Sequence, residues 1–153
     1  MLVYRIAKTE DRAQDISGFG AYKFGGRWNS RATYMLYTSM NSSLAYLENL
    51  VHFNESDVPP GLHIASIEIQ DSALIYELPD EQYPKDWQMP DNLENKLTGD
   101  EWMHSKKYMV FKVRSVINPS EYSFLLNPLF PGYHELVKIA SVVRLNIDAR
   151  LIR

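Results

Sequence analysis

Glu48 is an acidic residue in an otherwise apolar stretch of the chain. In a helix with about 100° between successive residues, Leu44, Leu47 and Val51 fall on one apolar stripe. Glu48 lies among them, four residues after Leu44. A carboxylate on the apolar side of a helix must be paired, neutralised or directed into a cleft. Two interpretations therefore stay open: a structural glutamate at the helix edge, or a functional carboxylate.

Ser115 is a second polar residue in an apolar pattern. Alternation over Met109–Ser115 predicts a strand with Met109, Phe111 and Val113 on one face. Ser115 continues that face at the end of the strand. Its hydroxyl either bonds a neighbouring backbone carbonyl or faces a site at the strand end, and the pattern leaves both readings open.

Arg27 lies in a segment rich in glycine. Residues 17–29 read SGFGAYKFGGRWN and hold four of the seven glycines in the chain. Glycine permits positive φ angles and close approach of the backbone to a ligand. An arginine there can offer a planar, permanently charged guanidinium to a phosphate or carboxylate. The alternative is a surface loop whose charge stacks on Trp28. The segment matches neither the P-loop nor the dinucleotide-binding fingerprint.

Composition and spacing exclude several other chemistries. The chain has no cysteine, so disulfides, thiolate metal sites and cysteine nucleophiles are excluded. The four histidines lack zinc-site spacing, and no Gly-x-Ser-x-Gly motif occurs, so we expect no metal site and no serine hydrolase. A formal net charge of −3, from 16 basic and 19 acidic residues, gives no general attraction to nucleic acid or anionic membranes.

The elements that must position these residues are mostly strands. Apolar and alternating stretches predict strands at Leu2–Ala7, Tyr34–Ser39, Leu62–Ile69, Tyr108–Val116, Ser123–Leu126 and Ser141–Asp148. Asn41, Ser42 and Ser43 are N-cap candidates for a helix that ends near His52. A second, short helix is predicted near Asp91–Leu97. Because strands dominate, we expect an α+β fold.

The overall size and composition predict one globular domain over residues 1–153. Hydrophobic residues make up 45% of the chain and charged residues 23%, which is typical of a folded domain. The start of the chain lacks the features of a signal peptide, and no apolar run predicts a transmembrane helix. We therefore expect a soluble, cytoplasmic protein.

Several stretches together resemble the RES-domain proteins, the toxin halves of bacterial Xre/RES toxin–antitoxin pairs. They read GFGAYKFGGRWNS, MLYTS, SLAYLENLVH and, downstream, FKVRSV and FLLNP. The most specific part is the Gly-Gly-Arg-Trp-Asn string, followed at the family spacing by Tyr37 and Glu48. The family is named for an arginine, a glutamate and a serine, which here are Arg27, Glu48 and Ser115.

The resemblance implies an ADP-ribosyltransferase-like fold with a strongly bent, mainly antiparallel β core and a few helices. It implies an enzyme that cleaves NAD at the nicotinamide–ribose bond by hydrolysis or phosphorolysis and so arrests growth. NAD is then a substrate, and no prosthetic group is needed. Two alternatives stay open, a protein ADP-ribosyltransferase and a non-enzymatic interaction module. The chain departs from the family at Arg114, where proline is usual, and at Tyr46, where a small residue is usual.

Six residues are expected at the site that the resemblance implies. The catalytic candidates are Arg27, Tyr37, Glu48 and Ser115, and the substrate-binding candidates are Arg27, Trp28, Tyr37, Ser115 and Asn127. Arg27 would grip the pyrophosphate or ribose oxygens, Glu48 would stabilise the ribosyl cation, and Ser115 would fix a ribose hydroxyl or the carboxamide. The implied partner is an Xre-type helix-turn-helix antitoxin that blocks the site, with nucleic acid contacted only through it and no membrane involved.

Overall fold

The computed structural model describes residues 1–54 and 56–152, and Glu55 and Arg153 lie outside the described residues. Seven strands in this part of the chain form one sheet. They are β1 (Leu2–Ala7), β2 (Leu36–Ser39), β3 (His63–Ile69), β4 (Ile75–Glu77), β5 (Val110–Arg114), β6 (Tyr122–Leu126) and β7 (Val137–Arg144). Their order is β4-β5-β6-β2-β1-β3-β7, and neighbours are antiparallel apart from the parallel pair β4 and β5. The predicted α+β class with a mainly antiparallel sheet is confirmed.

Helices join the strands at several points of the described chain. They are α1 (Glu10–Gln14), α2 (Phe19–Phe24), α3 (Ser42–Leu50), α4 (Leu93–Ser105) and α5 (Tyr133–Leu136), with 3-10 turns at Asp80–Gln82 and Ala149–Leu151. α3 begins as predicted, because the Asn41 side chain accepts a hydrogen bond of 2.8 Å from the Leu44 N–H. Among the described residues, no helix has the length and apolar character needed to cross a membrane.

The extent of α4 corrects the sequence prediction. The helix continues to Ser105, well beyond the short helix expected near Asp91–Leu97. Its buried positions include Asn95, Gly99 and Trp102, so the inward face is not an apolar stripe. The amphipathic signal that marks most helices is therefore missing, which is why only its start was predicted.

The glycine-rich segment also differs from the expected loop, because α2 occupies part of it. The helix is bounded by Gly18 and Gly25, which have φ angles of 73° and 72°. None of its residues is buried. The two glycines therefore allow the chain to enter and leave a short surface helix.

One strand prediction is corrected, and one strand was not predicted. The last strand lies at Val137–Arg144 and not at Ser141–Asp148, because its register is set by pairing along the whole of β3. β4 was not predicted, since three residues at the sheet edge are too few to show a pattern.

β5 lies between β4 and β6 and is covered on both faces. Phe111 and Val113 pack in one apolar cluster with Trp28, while Val110 packs in a second cluster on the other face. Gly99 brings α4 against this core, and a Cβ atom there would lie 1.6 Å from the Trp28 carbonyl oxygen. The close approach of α4 to the glycine-rich segment therefore requires glycine at this position.

Candidate active site

A cleft of about 810 Å³ opens beside α2 and α3. Its walls include residues of the glycine-rich segment, of β2, of α3 and of the turn that follows β5. Four site candidates line it: Arg27, Trp28, Tyr37 and Glu48. A cavity of this volume is in the range of known small-molecule sites. Because its lining residues come from segments far apart in the sequence, the fold brings distant parts of the chain to one cleft.

The closest contact between two site candidates joins Ser115 to Glu48. The Ser115 hydroxyl donates a hydrogen bond of 2.6 Å to Oε1 of Glu48, across 67 residues of sequence. The Ser115 Oγ atom also accepts hydrogen bonds from the backbone N–H groups of Ile117 and Asn118, at 3.2 and 3.1 Å. Since a hydroxyl has one proton, these contacts fix its direction, and Ser115 is only 1% exposed. The serine therefore holds the carboxylate in one place.

The buried face of α3, beside which Glu48 lies, is not the face that the sequence predicted. Leu44 and Ala45 are buried against the sheet, while Leu47 and Val51 are 41% and 57% exposed, so the predicted apolar stripe is wrong. Glu48 follows Leu44 by four residues and is half-buried beside the packed face. The expectation that the carboxylate points inward holds, although the neighbours inferred for it do not.

Arg27 reaches away from the glycine-rich segment to a surface loop. Its Nη1 atom donates to the carbonyl oxygens of Trp87, Gln88 and Met89 at 3.2, 3.0 and 2.9 Å. In the described part of the chain, its Nη2 and Nε atoms make no hydrogen bond. The Nη1 atom thus anchors a loop, and Arg27 is also one of the residues that line the cleft.

The Tyr37 hydroxyl makes two hydrogen bonds with other residues of the protein. It donates to Oδ1 of Asn29 at 2.7 Å and accepts the Trp28 N–H at 2.9 Å. Burial raises the pKa of Tyr37 well above its ordinary value. A Cβ at Gly26 would lie 2.7 Å from this hydroxyl, so the loop can only pass here as glycine. Tyr37 therefore offers the cleft a fixed, neutral ring.

Two of the expected substrate-binding residues, Trp28 and Asn127, have buried side chains. The Trp28 side chain is 2% exposed and packs edge-on against Phe111 at 5.7 Å, so its indole belongs to the core. Asn127 is fully buried, donates to the Met103 carbonyl at 3.0 Å and accepts the Leu129 N–H at 2.9 Å. Backbone groups thus bind both the nitrogen and the oxygen of this amide, and the substrate-binding role of Asn127 stays a prediction.

Two features near the cleft were missed by sequence reasoning. Asn29 donates to the carbonyls of Ala21 and Thr33 at 2.9 and 3.0 Å and so folds the glycine-rich segment around Tyr37. Its place in the Gly-Gly-Arg-Trp-Asn string was the available signal. Arg5 also lines the cleft and donates to Asp15 O at 3.1 Å, and burial lowers the pKa of Arg5.

No metal centre is evident among the residues that the structure describes. No set of three His, Asp or Glu side chains in residues 1–54 and 56–152 is arranged to hold an ion. The site candidates supply a carboxylate, a guanidinium, a phenol ring and a serine hydroxyl.

The fold and the cleft define an α+β protein with a serine-held carboxylate beside a glycine-rich, arginine-bearing segment. The model of the RES domain matches residues 2–148, and the chain belongs to the RES domain family. The resemblance stated from the sequence is confirmed.

Related proteins agree with this assignment. The chain is 31% identical over 152 residues to Toxin Res of Yersinia enterocolitica, with 99% of each protein covered. It is 32% identical over 144 residues to the Prs ADP-ribosylating toxin of a Sphingobium strain, covering 92% of this chain and 89% of the relative. Its fold is similar to a chain of the M. tuberculosis MbcT–MbcA toxin–antitoxin complex, with a TM-score of 0.70, 16% identity and coverage of 94% and 83%.

Proposed function

We propose that this protein is the toxin of a toxin–antitoxin pair and that it acts on NAD by breaking the bond between nicotinamide and ribose. The observation that carries the proposal is the Glu48 carboxylate, held by the Ser115 hydroxyl at 2.6 Å at the wall of the cleft. Family membership and the toxin names of the relatives support the same reading.

The chemistry of NAD cleavage suits a site built around one fixed carboxylate. When the C1′–N bond breaks, its electron pair goes to the nicotinamide nitrogen and cancels the positive charge there. Positive charge develops on the ribose, which becomes oxocarbenium-like. Glu48 stabilises that charge, and because its carboxylate is already oriented, little reorganisation is needed as the bond breaks.

The remaining residues bind and position the substrate. The free side of the Arg27 guanidinium contacts the pyrophosphate or ribose oxygens, and the Tyr37 ring packs against the nicotinamide or ribose. The Ser115 hydroxyl was expected to bind the substrate directly, but its proton is used by Glu48 and its lone pairs by two N–H groups. Ser115 therefore acts through Glu48.

The acceptor of the ribosyl group is water or phosphate in this proposal. In hydrolysis the water oxygen bonds to C1′ and releases a proton, and in phosphorolysis a phosphate oxygen takes its place. A second candidate function is transfer of ADP-ribose to a protein, which is supported by the name of the Sphingobium relative, an ADP-ribosylating toxin. A non-enzymatic interaction module would leave NAD intact.

The partner in this proposal is an antitoxin of the Xre helix-turn-helix type that covers the cleft. The similar solved fold comes from a toxin–antitoxin complex, which supports an antitoxin partner. A chain segment inserted between α2 and the turn after β5 would exclude a dinucleotide sterically. Antitoxin and NAD should then weaken each other's binding by the same factor.

Expression in a bacterium tests the proposal as a whole. Cells that express the wild-type chain should stop growing as their NAD falls, and cells that express Glu48→Gln should do neither. Glu101→Gln is the matched control, because Glu101 is exposed on α4 and does not line the cleft. Growth arrest with undiminished NAD would contradict the enzymatic proposal, and labelled protein from radiolabelled NAD would favour ADP-ribosyl transfer.

A further inference from the structure

Glu121, in the turn between β5 and β6, contacts two parts of the candidate site. Its backbone carbonyl accepts the Ser115 N–H at 2.9 Å, and its own N–H donates to the Asn118 carbonyl at 2.9 Å. Its side chain reaches the other way, where Oε1 accepts a hydrogen bond of 3.0 Å from Nδ2 of Asn41. A single residue thus joins the serine to the start of α3.

Asn41 is oriented at both ends of its amide. Its oxygen caps α3 by accepting the Leu44 N–H at 2.8 Å, so its nitrogen must face Glu121. Glu48 follows seven residues later, about 10 Å along the same helix. A displacement of the helix start therefore carries the carboxylate with it.

These contacts form a continuous closed path around the site. The path runs from Asn41 to Glu121, along the turn to Ser115, across its hydroxyl to Glu48, and back through α3. Neither Asn41 nor Glu121 is fully exposed, so water competes only in part for the bond between them. We propose that Glu121 is a positioning residue that sets the place of Glu48 relative to Ser115.

The proposal rests on the proposed NAD cleavage and adds a residue that acts through Glu48. A misplacement of a catalytic group by about 1 Å can lower the rate roughly a hundredfold. Loss of one hydrogen bond among the several contacts that position Glu48 should lower it about tenfold. The loss should appear in kcat with little change in KM for NAD, because Glu121 does not line the cleft that would bind it. A residue that only stabilised the fold would leave kcat unchanged well below the unfolding temperature.

Matched variants separate the hydrogen bond from the side chain that makes it. Glu121→Ala should lower kcat about tenfold, while Glu121→Gln keeps an oxygen for Asn41 and should stay within about twofold of wild type. Asn41→Asp keeps the helix cap but sets two carboxylates together, and kcat should fall. Adding Glu121→Gln to Asn41→Asp restores a donor and an acceptor, and kcat should recover. Glu101→Ala is the control.

Crystal structures of the wild type and the two Glu121 variants provide a readout that does not depend on NAD. The Ser115 Oγ to Glu48 Oε1 contact should open beyond hydrogen-bond reach in Glu121→Ala and persist in Glu121→Gln. An unchanged contact in Glu121→Ala, or a kcat equal to wild type, would overturn the positioning role. Should the wild type fail to consume NAD, the proposed function fails, and the Ser115–Glu48 distance alone decides the inference.

Discussion

Replacing Glu48 by glutamine removes the negative charge of this side chain and hardly changes its shape. The Ser115 hydroxyl donates to Oε1 of Glu48, and a glutamine can present its amide oxygen to the same proton. The hydroxyl also keeps its contacts with the N–H groups of Ile117 and Asn118. We expect the free energy of unfolding to change by no more than about 1 kcal/mol.

The effect of this substitution on catalysis should be much larger. A group that stabilises charge mainly in the transition state typically contributes a factor of about 10²–10³ in rate, or roughly 3–4 kcal/mol. The expected result for Glu48→Gln is a fall of that size in kcat. The measurement is release of nicotinamide from NAD, followed by chromatography at saturating NAD, with urea unfolding of the same sample.

Ser115→Ala is the informative companion to Glu48→Gln. It removes the donor to Glu48 and leaves two half-buried N–H groups without their acceptor. It should therefore destabilise the fold by about 2–3 kcal/mol and lower kcat less than the glutamine variant does. If Glu48→Gln folds normally and turns over NAD within about threefold of wild type, the carboxylate is structural and has no catalytic role.

Three further predictions follow from other contacts. Arg27→Lys should raise KM for NAD about tenfold or more, nearly as much as Arg27→Ala, because lysine lacks the planar array of N–H donors of a guanidinium. A KM equal to that of the wild type would contradict this prediction. Burial raises the pKa of Tyr37 and Tyr133 above 10.0, so folded protein keeps protons that the unfolded chain loses at higher pH. Urea unfolding should therefore show full stability below about pH 10 and a loss above it of up to about 1.4 kcal/mol per pH unit for each tyrosine. Tyr37→Phe should roughly halve the loss of stability per pH unit. An unchanged loss would show that Tyr37 is not one of the two tyrosines responsible. Gly99→Ala should destabilise the fold by about 3 kcal/mol in thermal unfolding, because its Cβ would lie 1.6 Å from a carbonyl oxygen. The control is Gly20→Ala, whose Cβ would meet nothing within 4 Å and which should be neutral. Equal melting temperatures for the two variants would refute this prediction.

Local patterns predicted much of the sheet and pointed to two polar residues in apolar surroundings. β1 has the predicted bounds, and Ser115, the residue after β5, is buried. The position of Glu48 in an apolar stretch indicated a carboxylate that needs a partner or a cleft. The helix, however, packs through Leu44 and Ala45 and not through the predicted apolar stripe. Such signals are local, since they depend only on neighbours along the chain.

What the sequence could not show depends on contacts between distant segments. Nothing local indicates that Ser115 and Glu48 share a hydrogen bond across 67 residues. Residue type made Trp28 and Asn127 plausible substrate contacts, and tertiary packing instead placed both in the interior. The functional roles of Arg27, Tyr37, Glu48 and Ser115 stay predictions.

Identification of the products formed from NAD tests the central claim most directly. Purified protein should be incubated with NAD, with and without inorganic phosphate, and the products identified by mass spectrometry. Cleavage at the nicotinamide–ribose bond predicts free nicotinamide together with ADP-ribose, or with phosphorylated ADP-ribose when phosphate is the acceptor. NAD that stays intact with a folded wild-type protein, in both conditions and with no labelled protein in added lysate, would contradict the account.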